Sequence, residues 1–166
     1  NQRYIRKDSS LLTNLDKINT LITSPFYNLL CAGEEKKTKY IGAKVLDAGD
    51  IIQTMAGWTV IGYSTSTLSF FRFLFEQTRD FRKKVDETQK GIQSMDEAIA
   101  RLSVHGNPAD ARRALYLVAA PSREMNMDMI SELGVHLKSL APEAIIRSGD
   151  YPRDRNSSLD VSIILS

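Results

Sequence analysis

Val45-Leu-Asp47-Ala-Gly-Asp50-Ile-Ile-Gln-Thr-Met-Ala-Gly57-Trp-Thr-Val-Ile-Gly-Tyr63 is the stretch on which the reading of this chain turns. An aspartate followed three residues later by a second acid, just ahead of an apolar pair, has the pattern of a helix N-cap with a capping box. Such a box satisfies N–H groups that the first helical turn leaves without partners, and it sets both carboxylates at the positive end of the helix dipole. Gly57 is expected to close this short helix. Trp58 to Tyr63, rich in β-branched and aromatic residues, reads as a buried strand. The two acids thus have a sufficient structural explanation. Two carboxylates held at one helix start can also orient a water or a metal-bound phosphate, and the two roles are compatible.

Toward the N-terminus, Leu11, Leu15, Ile18 and Ile22 recur with helical spacing, which predicts a long helix from about Arg3 to Thr23 ended by Pro25. Residues 26–44, with Gly33, Gly42 and the run Glu34-Glu-Lys-Lys, read as a solvated connection. Toward the C-terminus, Phe71, Leu74, Phe75, Thr78, Phe81 and Val85 form a helical stripe over residues 67–90. Acids dilute the basic residues around it, so packing against a partner or the domain is favoured over a membrane surface. Another helix is expected from Ile92 to Val104. The last third alternates: strand Ala114 to Ala120, helix Asn126 to Leu140, strand Glu143 to Ser148, a turn through Pro152 and Asn156, and strand Leu159 to Leu165. Strands separated by helices place the chain in the α/β class, as a two-layer sandwich of a four-stranded mixed sheet with packed helices, preceded by a long helix. The division expected is a connecting helix over 1–25 and a domain over 26–166.

Composition bounds the function. The 166 residues are 42% hydrophobic and 25% charged, in the range of a soluble globular domain. A domain of that size buries roughly 70% of its unfolded surface. With 22 basic and 20 acidic residues interleaved, the chain has no basic patch to recommend a nucleic-acid partner. Cys31, the single cysteine, cannot form an internal disulfide; it reads as a small buried hydrophobe and favours a cytoplasmic setting. No apolar run reaches the ~18 residues of a membrane span, and no signal peptide opens the chain. His105 and His136 stand alone in the sequence and suggest no metal site. The first residue is Asn1 rather than Met, and the chain stops at Ser166 within a strand-like run, so further sequence on the N-terminal side is expected.

Nothing in the chain has the pattern of a self-sufficient enzyme: there is no phosphate-cradling glycine loop, metal-ligand cluster or nucleophile–base set in a recognisable context. The 45–63 stretch instead resembles the loop and helix that follow the long central helix of FtsZ and tubulin, where Asn-x-Asp-x-x-Asp leads into a helix and then an apolar strand. The similarity continues in order through Arg113-Ala-Leu-Tyr-Leu-Val-Ala-Ala-Pro, Met127-Asp-Met-Ile-Ser-Glu-Leu-Gly, Glu143-Ala-Ile-Ile-Arg-Ser-Gly-Asp and Leu159-Asp-Val-Ser-Ile-Ile-Leu-Ser.

That resemblance implies the C-terminal domain of a self-assembling GTPase, whose acidic loop enters the nucleotide pocket of the adjacent subunit. It puts the roles of positioning the attacking water on Asp47 and Asp50, with Asp50 the stronger candidate. Val45 departs from the family's asparagine and puts full competence in question. Aligning Ile18 to Pro25 with the end of the central helix puts Tyr4 and Asp8 at its start, where the family stacks on guanine and accepts its N–H groups. Residues 26–44 and 65–90 are longer than in FtsZ, in regions the family uses for subunit contacts. The implied ligand is GTP with Mg2+ in the full-length protein, with none expected for this part alone, and the implied partner is a further copy in an oligomer or filament. An inert interaction domain of the same fold is the alternative.

Overall fold

A computed structural model describes residues 11–34, 46–67, 80–122, 125–153 and 158–166. In chain order these form α1 (Leu11–Glu34), α2 (Ala48–Thr54), β1 (Val60–Thr67), α3 (Asp80–Ala100), a 3-10 turn (Pro108–Asp110), β2 (Arg113–Pro121), α4 (Met127–Leu140), β3 (Ile145–Arg153) and β4 (Ser158–Leu165). The strands make one sheet in the order β1-β4-β2-β3, with β2 and β3 parallel and the other two pairings antiparallel. Strand β2 is buried at every position after Arg113, because both faces of the sheet are covered. Tyr116, Val118 and Ala120 point into the larger core with Met95 of α3, Met129 and Leu133 of α4, and Val161 and Ile163 of β4. Leu115 and Leu117 point the other way, into a second cluster with Leu29 and Ala32 of α1, Leu46 and Ile164. The sheet and the α3–α4 layer form the expected sandwich, and α1 and α2 pack on its opposite face.

Several element boundaries differ from those read off the sequence. Pro25 does not end α1 but lies inside it, and the helix runs on to Glu34. The expected division between residues 25 and 26 therefore falls within a helix. Proline in a helix interior sacrifices a hydrogen bond. Here Pro25 is itself buried, and Asn28, Leu29 and Ala32 beyond it are buried too, so packing on the sheet carries the helix through. Cys31 is half-buried rather than buried. Trp58 is not part of a buried strand: it is 98% exposed, and β1 begins at Val60. Gly57 adopts φ 104°, the left-handed region, and turns the chain; Thr59 Oγ1 then donates to the carbonyls of Met55 and Gly57, so the strand cannot start earlier.

The two helices expected around residue 91 are one continuous helix from Asp80, and it stops at Ala100, leaving Val104 exposed outside it. Gly91 is retained within it because a Cβ there would lie 2.9 Å from Met129 Cγ on α4. The stripe residues Phe71, Leu74, Phe75 and Thr78 lie outside the described residues. Strand β3 runs through Pro152 to Arg153 instead of turning there. An edge strand tolerates proline, since only one side of it has to complete a ladder. Exposed Asp96 receives His136 at 2.6 Å across α3 and α4, so His136 is not alone in the fold.

Gly62 lets β1 and α3 approach closely. A Cβ at this position would lie 2.2 Å from the carbonyl oxygen of Ala98 and 2.9 Å from its carbon. Backbone cannot swing aside as a side-chain tip can, so Gly62→Ala should destabilise the protein by about 1–3 kcal/mol or more. Thermal melting checks this; an unchanged midpoint would mean that α3 shifts freely on β1.

Candidate functional site

The acidic turn is built by the capping box. Asp47, with extended backbone, caps α2: its Oδ1 accepts the Asp50 N–H at 2.7 Å, and Asp50 Oδ2 accepts the Asp47 N–H at 3.5 Å. The flanking Leu46 and Ile51 occupy the two positions of a hydrophobic staple and both pack into the α1-side cluster. Thr54, buried, returns its hydroxyl to the Asp50 carbonyl at 2.8 Å. Helix α2 has only seven residues, and caps, staple and tertiary packing hold it where propensity alone would not.

Strand β3 then fixes the turn in space. Arg147 donates through one Nη to Asp50 Oδ1 and through the other to Gln53 Oε1 at 2.8 Å. Two residues along, on the same face of β3, Gly149 leaves room for Leu46; a Cβ there would come within 2.4 Å of Leu46 Cγ. At the far end of α2, Arg113 of β2 donates to the Ala56 carbonyl at 3.1 Å. The result is an exposed Asp47 beside an Asp50 whose side chain is 22% exposed and held from below. Arg147 takes Oδ1 of Asp50. Among the described residues its Oδ2 meets the Asp47 N–H, at 3.5 Å, the long limit of a hydrogen bond, and keeps capacity for a further donor such as water.

Of the residues singled out in the sequence, Asp47 and Asp50 come together; Tyr4, Asp8 and Val45 lie outside the described residues. Arg147 and Gln53 were not singled out. No local pattern could have found Arg147, because the contact spans 97 positions. Among the described residues no group of three or more His, Cys, Asp or Glu side chains could hold a metal ion. No helix among them is long and apolar enough to cross a membrane.

A second polar cluster joins α1 to the sheet. Asp160 of β4 is buried and accepts from Thr65 at 2.8 Å, Arg153 at 2.9 Å and Asn28 of α1 at 3.4 Å. Burial opposes ionisation of Asp160, but the hydrogen bonds from Arg153 and Thr65, with the Arg153 charge, outweigh it and hold the carboxyl below its ordinary value. Burial and the Asp160 charge push the neighbouring Tyr63 up to about 12, so it stays a neutral hydroxyl. The sequence signal for this cluster is a charged residue, Asp160, within a largely apolar strand, where a buried carboxylate requires a partner.

A family model described as the tubulin-like CetZ C-terminal domain matches residues 8–166. The chain belongs to the CetZ C-terminal domain family. This places it in the tubulin/FtsZ superfamily, as the sequence resemblance implied. Among similar proteins, CetZ1 of Haloferax volcanii is 26% identical over 165 residues, covering 92% of this chain and 42% of CetZ1. The fold of the CetZ domain matches a GTPγS-bound protofilament of CetZ2 from the same organism with TM-score 0.73 at 20% identity, over 98% of this chain and 43% of that one. It matches FtsZ of M. jannaschii with TM-score 0.68 at 16% identity, over 98% and 42%. The chain thus spans well under half the length of these relatives.

Proposed function

We propose that this CetZ domain is the C-terminal part of a self-assembling GTPase, and that its acidic turn promotes hydrolysis of GTP bound by a neighbouring subunit. The observation that carries the reading is the pair Asp47 and Asp50: two carboxylates at one turn, with Asp50 fixed from the sheet through Oδ1 and only a 3.5 Å hydrogen bond on its Oδ2 among the described residues. Their chemistry fits action on a water and not retention of a triphosphate. Carboxylates accept hydrogens from water but repel phosphate oxygens, and the guanidinium nearby is already engaged by Asp50 and Gln53. The nucleotide supplies an electrophilic γ-phosphate, with Mg2+ offsetting its charge. Asp50 Oδ2 orients the attacking water and accepts its hydrogen bond, while Asp47 holds the helix start and lines the approach. On the same reading Tyr4 and Asp8 contact the guanine of the subunit's own nucleotide.

A site completed between two subunits makes turnover depend on assembly. In the full-length protein, GTP hydrolysis per subunit should rise steeply as concentration passes the assembly threshold, while GTP affinity per subunit stays constant. Steady-state phosphate release across a dilution series, beside pelleting of polymer, checks this. Turnover per subunit that is independent of concentration would overturn the reading and favour the inert interaction domain.

A further inference from the structure

We propose that Arg147 is a positioning residue for the acidic turn, aiming Asp50 and offsetting part of the negative charge that the turn carries toward a triphosphate; this rests on the function proposed above. Two ionised carboxylates three residues apart would meet a polyanion with strong repulsion in a space from which water is largely excluded. The helix dipole offsets only part of that charge. Arg147 supplies a positive charge at the pair.

The geometry is specific to that task. One Nη binds Asp50 Oδ1 and the other binds Gln53 Oε1, one turn further along α2, so a planar fork spans the first and second turns of the helix. With Oδ1 tied to Arg147, Oδ2 is the Asp50 oxygen that keeps hydrogen-bonding capacity among the described residues. The strand that carries Arg147 also fixes the chain just before the cap, through Leu46 over Gly149. Two points of β3, on one face and two residues apart, therefore set both the position of the turn and the orientation of its acid. Arg147 is itself half-buried, with its side chain 39% exposed. Its second hydrogen bond, to Gln53, limits how far the guanidinium can swing away from Asp50.

The test is turnover per assembled subunit in the full-length protein. Arg147→Ala should lower it by roughly 10-fold to 10²-fold at saturating GTP, as expected when a catalytic group is misplaced by about an ångström. GTP affinity and polymer mass should stay at wild-type levels. Arg147→Lys should recover part of the loss, because a point charge can meet Asp50 but not Asp50 and Gln53 together. In the Asp50→Ala background, Arg147→Ala should cost little more, since both changes remove the same aimed oxygen. Wild-type turnover in Arg147→Ala, or an equal further loss in the Asp50→Ala background, would overturn the proposal. Should Arg147→Ala fail to assemble, Arg147→Lys decides: reduced turnover at full polymer mass supports the positioning role, and unchanged turnover overturns it. If Asp50→Ala lowers turnover and the Arg147 variants do not, only this inference falls; if Asp50→Ala itself turns over normally, the proposed function falls with it.

Discussion

Asp50→Ala in the full-length protein should slow steady-state GTP hydrolysis by on the order of 10²–10⁴-fold while leaving GTP affinity nearly intact. The magnitude is that of removing a side chain which handles the proton or the orientation of the attacking water. Under the proposed function affinity is spared, because the acid would act on nucleotide held by the next subunit and not on the subunit's own. A purely structural role for Asp50 predicts something different. Asp50 contributes one half of a capping box, and losing that interaction costs about 1 kcal/mol of stability with turnover per folded molecule preserved. Hydrolysis above the assembly threshold, nucleotide affinity and thermal melting, measured together on wild type and variant, separate the two. Normal turnover with a lowered melting temperature would make Asp50 a helix cap only.

The other large effect concerns Asp160. Asp160→Ala should destabilise the protein by about 3–5 kcal/mol, because it leaves the Arg153 guanidinium in the protein without its charge partner. Thr65 and Asn28 lose their acceptor as well, so the loss reaches from β1 and β3 to α1. Asp160→Asn keeps the shape and some of the hydrogen bonding but not the charge, and should fall between wild type and alanine. The pH dependence follows from the depressed carboxyl. In the unfolded chain Asp160 titrates near its ordinary value of 3.8, and in the folded protein below it. The unfolded state therefore binds more protons in that window, and stability rises with pH across it. The contribution is fully present above the unfolded value and is lost as pH falls through the folded one. Wild type should thus lose more stability than Asp160→Asn between pH 5 and about pH 3. Parallel acid melting curves for the two proteins would show that the Asp160 charge contributes nothing to the fold.

The same cluster bears on how α1 is held. Asn28 lies beyond Pro25, on the part of the helix expected to be a loop, and it reaches the sheet through Asp160. Helical spacing predicts the helix itself, and its expected start at Arg3 lies outside the described residues; proline chemistry argues for an end at Pro25 that the structure does not have. Burial of Pro25, Leu29 and Ala32 against the sheet decided otherwise. Propensity is a local quantity of the order of 3 kcal/mol for an interior proline. Packing of a whole helical face exceeds it, and no window of sequence contains the other side of that contact.

What the sequence by itself determined is the order of elements and the capping box of the acidic turn. Capping residues act on N–H groups within four positions of themselves, so Asp47 and Asp50 announce their helix start and its box from eleven residues of context. The unbroken apolar run of β2 likewise states that both faces of its strand are covered, since a half-exposed strand would alternate. Only the tertiary structure decided what acts on that turn. Arg147 lies on an edge strand 97 positions away, and it meets Asp50 because the crossover through α4 returns β3 beside β2, under α2. Trp58 departs from its expected strand for a related reason: the residue type fits a strand, but Gly57 in the left-handed region turns the chain first and leaves the indole in solvent. Local pattern specifies which groups a segment must satisfy; the partners that satisfy them over long separations exist only once the sheet has closed around them.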